Sequence, residues 1–144
     1  MQLNVKFFNE LTNINLYNVL KIRAEVFVVE QKCIYNDMDN EDLKSLHVYF
    51  EDNTVVKAYL RIIPLGDNVV KIGRVCALEK RTGLGTKLLK EGIKAARDKL
   101  CAKKIIIHAQ SYVENFYAKQ GFKTVSDEFM EEGIPHVKME LELN

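Results

Sequence analysis

Apolar positions along this chain change period several times, and each change marks an element. Val5 to Phe8 reads as a short first strand. Leu16, Val19, Leu20, Arg23, Ala24 and Phe27 then recur at helical spacing, predicting a first helix that ends near Glu30. Cys33 to Leu43 is polar, acidic and aperiodic, and reads as a loop or a ragged helical turn. Strand patterns follow at Ser45 to Glu51, Val55 to Ile63 and Val69 to Leu78, with Asp52-Asn53 and Gly66-Asp67-Asn68 as turns. Three strands in succession with short turns predict an antiparallel meander.

The helical period returns after Gly83, with Leu84, Leu88, Leu89, Gly92, Ile93, Ala96 and Leu100 on one face. Lys87, Lys90, Glu91, Lys94 and Arg97 take the solvent face. Lys104 to Ala109 is a β-branched apolar run, the pattern of a central strand. Ser111 and Glu114 have capping-box spacing and predict a short helix ending at Gly121. His136 to Leu143 alternates strictly, with Val137, Met139, Leu141 and Leu143 inward, as a closing strand or hairpin. The order predicts one α/β domain, a mixed sheet with flanking helices, spanning residues 1–144.

Composition narrows the class. A net charge of +1 supports neither a nucleic-acid footprint nor a membrane-surface role. No apolar run approaches the ~20 residues of a membrane span, and the N-terminus has no secretory pattern. Cys33, Cys76 and Cys101 are odd in number and widely spaced, which argues for a reducing cytoplasm rather than a disulfide framework. There is no CxxC or HxxxH pair, so no metal site is expected. Asp37, Asp39, Glu41 and Asp42 form an acidic run, but lack the glycine and terminal glutamate of a calcium loop. The run reads either as a solvated loop or as a lip that attracts a cationic amine.

The richest stretch is Lys80-Arg81-Thr82-Gly83-Leu84-Gly85-Thr86, which joins a strand to a helix. Glycines there let backbone approach a ligand closely, and the helix N-terminus offers free N–H groups and a positive dipole end. That is the chemistry of a pyrophosphate cradle. No Lys-Ser/Thr pair follows, so it is not a Walker loop, and no third glycine completes a dinucleotide fingerprint.

The element order and this cradle resemble the GNAT superfamily of acyl-CoA N-acyltransferases, whose motif Gln/Arg-x-x-Gly-x-Gly/Ala is filled here by Lys80 to Gly85. Lys80 departs from the family's Gln or Arg, and the approach from Ala77 is about two residues shorter than in close relatives, which assigns the lead basic role to Arg81. Asn115-Phe116-Tyr117-Ala118-Lys119-Gln120-Gly121-Phe122 resembles a second family signature. Arg23 to Tyr35, Asp37-x-Asp39, His47, Ile72 to Val75 and Glu132 to His136 resemble the ElaA-like branch.

The resemblance implies a mostly antiparallel sheet in which the fourth and fifth strands splay around the pantetheine arm of acetyl-CoA. Val75, Cys76 and Ala77 on one strand and Gln110 on the other, with Asn115, take the arm. The amides of Arg81, Thr82, Gly83, Leu84, Gly85 and Thr86 take the pyrophosphate, with charge from Lys80 and Arg81. The implied reaction is direct acetyl transfer to a primary amine, Tyr117 acting as acid toward the leaving thiolate. Deprotonating a lysine-like ammonium at pH 7 costs roughly 4.6 kcal/mol, so a base is expected. Glu30, His47, His108 and His136 are the candidates, with Glu30 placed where family acceptor sites open. Phe27, Glu30, Asp37, His47, Arg74 and His136 are the expected acceptor-side residues, Arg74 being equally suited to a structural ion pair. Dimers are common in such proteins, so a homodimer is admitted. A non-catalytic acyl-CoA sensor on the same fold is the alternative reading.

Overall fold

The computed structural model describes residues 1–144. Eight strands form one sheet: β1 (Gln2–Phe7), β2 (Leu46–Asp52), β3 (Val55–Gly66), β4 (Val69–Ala77), β5 (Lys104–Gln110), β6 (Lys123–Thr124), β7 (Phe129–Glu131) and β8 (Ile134–Glu142). Their order is β1-β2-β3-β4-β5-β8-β6, with β7 on β8. Every pairing is antiparallel except β4 with β5. The expected mixed, mostly antiparallel α/β sheet is what the chain forms.

Three hairpins close on two-residue loops: Asn53–Thr54, Asp67–Asn68 and Glu132–Gly133. All six loop residues have positive φ, the primed turn geometry whose twist matches the strands. The first loop lies one residue beyond the Asp52-Asn53 expected, because Asp52 still pairs with Val55.

Helix α1 (Asn13–Arg23) is capped by Thr12, whose hydroxyl accepts from Asn15 N–H while the Asn15 side chain accepts from Thr12 N–H. The chain then widens into a π-helical segment, Ala24–Glu30, rather than continuing as α-helix to Glu30. Val19, Ile22, Arg23, Val26 and Phe27 are buried, and Ala24, expected inward, faces solvent. Helix α2 (Leu84–Leu100) buries Leu88, Leu89, Gly92, Ala95 and Ala96 on the other sheet face. A Cβ on Gly92 would sit 2.7 Å from Leu60 Cδ2, so glycine is what lets α2 lie this close to β3. The capping box expected at Ser111 does not form. A turn of 3-10 helix, Ser111–Val113, precedes α3 (Glu114–Ala118), and Ser111 Oγ is buried without a partner.

The α1 side of the sheet carries a buried charge network. Arg23 bonds Asp42 Oδ1 at 2.8 Å and Asp37 Oδ2 at 3.1 Å. Arg61 bonds Asp39 at 2.6 and 2.8 Å and Asp42 at 3.0 Å, and Arg74 bonds Asp37 Oδ1 at 2.8 Å. Three of the four carboxylates of the acidic run, Asp37, Asp39 and Asp42, are therefore neither solvated nor free for cations, because three arginines from three elements hold them; Glu41 pairs with the exposed Lys44 at 3.0 Å. Arg61 and its neighbours hold the Asp39 carboxyl down at about 2. Burial opposes the charge of Asp42, but the hydrogen bonds from Arg23 and Arg61 outweigh it and keep its pKa low.

His47 belongs to this network, not to a cleft. Its Nε2–H donates to the Asp42 carbonyl at 3.0 Å, so Nδ1 accepts from the Tyr59 hydroxyl at 2.7 Å. Burial pushes its pKa below the ordinary value. The unfolded chain therefore takes up this proton first, so His47 leaves stability intact above ~6.5 and erodes it as pH falls below that. We expect the urea midpoint to drop between pH 7.5 and 5.5 in the wild type and to drop less in His47→Gln; equal slopes would refute this role.

Candidate functional site

β4 and β5 pair for only four residues, Val69–Ile72 against Lys104–Ile107. Beyond them both strands continue, to Ala77 and to Gln110, without pairing to each other. The cause lies on β4. Between the Tyr59–Cys76 and Arg61–Gly73 pairs it holds one residue more than β3, and Arg74 there has φ +53°. This is a β-bulge, which bends the strand away from its neighbour and frees backbone groups on the facing edges. Arg74 is pinned to Asp37 and lies over the Tyr35 ring at 5.0 Å.

The gap opens into a cavity of about 320 Å³. Ile72 and Ile107 form its apex; Val75, Cys76 and Ala77 make one wall, Gln110, Val113 and Tyr117 the other. Gln110 Nε2 donates to Gln31 Oε1 at 3.3 Å, joining β5 to the end of the π-helical segment. Cys76 is buried and its thiol is pushed up to about 12 by that burial, so it stays protonated and is no nucleophile.

At one end of the gap lies the N-terminus of α2. Its first helical bond is Lys87 N–H to Gly83 O, so the N–H groups of Leu84, Gly85 and Thr86 have no helical acceptor. Gly83 caps the helix at φ +81° with no neighbour near the place of a Cβ, and Arg81 too has positive φ. Gly85 packs on Phe116, 3.6 Å from where its Cβ would be, and Phe116 meets Tyr117 edge-on at 5.0 Å. Tyr117 is buried, which raises its phenol well above the ordinary value and keeps it protonated. Lys80 lines the mouth and pairs with Glu30 at 3.2 Å.

At the other end, on the sheet face opposite α2, the β7–β8 hairpin brings in groups that the sequence pattern did not assemble. His108 Nδ1 lies 2.9 Å from Glu131 Oε1, and His136 Nε2 lies 3.8 Å from Glu131 Oε2. Phe129 stacks on His136 and meets His108 edge-on. Lys71 Nζ lies 3.5 Å from His108 Nδ1.

Of the residues expected at the site, Val75, Cys76, Ala77, Lys80, Gly85, Gln110, Tyr117, Phe27, Arg74 and His136 line the cavity. Thr82 and Gly83 lie in the exposed turn before α2, and Leu84 and Thr86 in its half-buried first turn. Glu30 and Asn115 are exposed and outside the lining, and the Glu30 carboxylate turns to Lys80 at the mouth. Asp37 and His47 are held in the arginine network. Glu131, Lys71 and Gln31 were not anticipated, because their contacts join segments far apart in the chain.

A family model described as Acetyltransferase (GNAT) domain matches residues 14–143. Protein ElaA of Escherichia coli is 36% identical over 141 residues, covering 94% of this chain and 92% of ElaA. The crystal structure of E. coli ElaA superposes with a TM-score of 0.93 over 99% of this chain and 100% of that one, at 32% identity. An acyl-CoA N-acyltransferase from Pseudomonas aeruginosa gives a TM-score of 0.91 at 33% identity, over 97% of this chain and 99% of its own. An aminoglycoside 6'-N-acetyltransferase complexed with coenzyme A shares the fold alone, with a TM-score of 0.75 at 13% identity over 99% and 97% of the chains.

Gly83 tests the turn. A β-branched side chain at its positive φ costs about 1–2 kcal/mol. Gly83→Val should therefore lower Tm by about 2–8 °C in a domain of this size. Gly83→Asn, which tolerates that conformation, should stay near wild type in the same thermal scan; an unchanged Tm in the valine variant would contradict the turn geometry.

Proposed function

Because the chain belongs to the GNAT acetyltransferase family, we propose that it moves an acetyl group from acetyl-CoA to a primary amine by direct transfer. The observation that carries this reading is the unpaired stretch of β4 and β5 leading straight into the α2 N-terminus. The residues present fit the ligand: two strand edges offer amide groups along a slot, and a glycine turn leaves room for a pyrophosphate. The aminoglycoside 6'-N-acetyltransferase complexed with coenzyme A supports CoA as the carrier on this fold.

In this reading the edge from Val75 to Ala77 and the Gln110 side bond the pantetheine amides, with Asn115 near the exit. The amides of Arg81 to Thr86 hold the pyrophosphate. Arg81 adds charge, and so does Lys80 once phosphate displaces Glu30. A β4 N–H near Cys76 polarises the thioester carbonyl, where negative charge grows in the transition state. Tyr117, protonated throughout the working pH range, donates to the departing sulfur. The acceptor enters from the opposite face, past Phe27, Arg74 and His136. The three cysteines are free, consistent with work in a reducing cytoplasm, and no helix is long and apolar enough to cross a membrane.

Calorimetry should show one acetyl-CoA bound per chain, and absence of binding to both acetyl-CoA and CoA would end the enzyme reading. Tyr117→Phe should lower kcat by about 10²-fold or more while leaving acetyl-CoA affinity within a few fold, as read by thiol release over a panel of primary amines. Saturable binding with no turnover across that panel would favour an acyl-CoA sensor instead.

A further inference from the structure

We infer that His108 is the general base of the site and that Glu131 is its positioning residue, an assignment that rests on the acetyl-transfer reading above. His108 is the first residue of β5 past the last β4–β5 pair, Ile72 with Ile107, so it stands at the apex of the gap. Ile107 and Ala109 pack into the core against α2, so His108 between them points to the opposite face, from which the acceptor enters. Across the gap at the same level is Gly73, with no side chain to obstruct that point. The ring is oriented from behind. Glu131 is a carboxylate 2.9 Å from Nδ1, so Nδ1 carries the hydrogen and donates it, leaving the Nε2 lone pair for the cleft. Phe129 holds the ring edge-on at 5.3 Å.

The other histidine of the cluster has neither nitrogen free: His136 Nδ1–H donates to the Ile134 carbonyl at 2.7 Å, its Nε2 faces Glu131 Oε2 at 3.8 Å, and its ring is buried under Phe129. The charged and titratable groups around His108 are Glu131 from β7, His136 and the register partner Lys138 from β8, and Lys71 from β4.

The ammonium of the acceptor gives one proton to His108 Nε2, and the nitrogen lone pair then attacks the thioester carbonyl carbon. The C–S bond breaks and its electron pair leaves with sulfur, which takes a proton from Tyr117. The second nitrogen proton departs as the amide forms and restores the phenol. The proton on His108 passes to solvent, to which the half-exposed His108–Glu131 pair is open.

The test uses the full chain with acetyl-CoA and, as probe acceptors, benzylamine, spermidine and glycinamide. The wild type should show an acid limb in kcat/KM. His108→Gln should lose about 10²–10⁴-fold in kcat and lose that limb, its rate rising with hydroxide. Added imidazole should restore part of the rate of His108→Ala. Glu131→Gln, whose amide oxygen still accepts from Nδ1, should keep the limb but move it to lower pH. Acetyl-CoA affinity by calorimetry should be unchanged in every variant. A His108→Gln enzyme with the wild-type limb would overturn the assignment. So would an isotope-labelled imidazole spectrum of the acetyl-CoA-bound protein placing the His108 hydrogen on Nε2, a readout that needs no acceptor. Failure to bind acetyl-CoA would instead sink the transfer reading itself.

Discussion

Four residues of parallel pairing, Val69–Ile72 against Lys104–Ile107, are the only strand pairing between the two halves of the sheet. One half is the β1–β4 meander; the other is β5 with the β6–β8 strands. If the seam ran the full length of β4 and β5 there would be no cleft, no free backbone groups and no path from the α2 N-terminus to the opposite face. Backbone polar groups are seldom left unpaired in a fold, so an edge left open by a bulge points to something else that pairs there.

The bulge is held from outside the sheet. Arg74 at positive φ is tied to Asp37, and the same loop is tied to Arg23 on α1 and Arg61 on β3. Buried ion pairs of this kind contribute little net stability once desolvation is counted. What they supply here is placement. The loop between the π-helical segment and β2 carries no regular strand or α-helix of its own, yet its carboxylates lock it to the bent strand and to the cleft wall.

Much of this architecture was legible in local patterns. Alternation in β8, the β-branched run of β5 and the apolar face of α2 each depend on neighbours a few residues away, and all are where the periods put them. The glycine turn was legible because a strand, two glycines and a helix follow one another directly. Most of the failures are non-local. Nothing in Arg74 announces a positive φ, since the cause is a count mismatch with β3. The carboxylates of Asp37, Asp39 and Asp42 look solvated until arginines separated by up to 37 positions reach them. The Glu131–His108 contact spans 23 positions and depends on β7, three residues long. Ser111 had the spacing of a cap, but burial in a 3-10 turn left its hydroxyl alone.

The two sets of charges differ in their access to water, and that separates what ionic strength can touch. Arg23 and Asp42 have side chains only 1% and 12% exposed, while Lys80 and Glu30 are 57% and 48% exposed. Dissolved ions screen exposed charges over about 8–10 Å at physiological ionic strength but reach buried pairs poorly. If the α2 turn holds an anion as proposed, salt weakens that attraction while the scaffold that shapes the cleft keeps its geometry, so a phosphate-bearing ligand would be released long before the fold is lost.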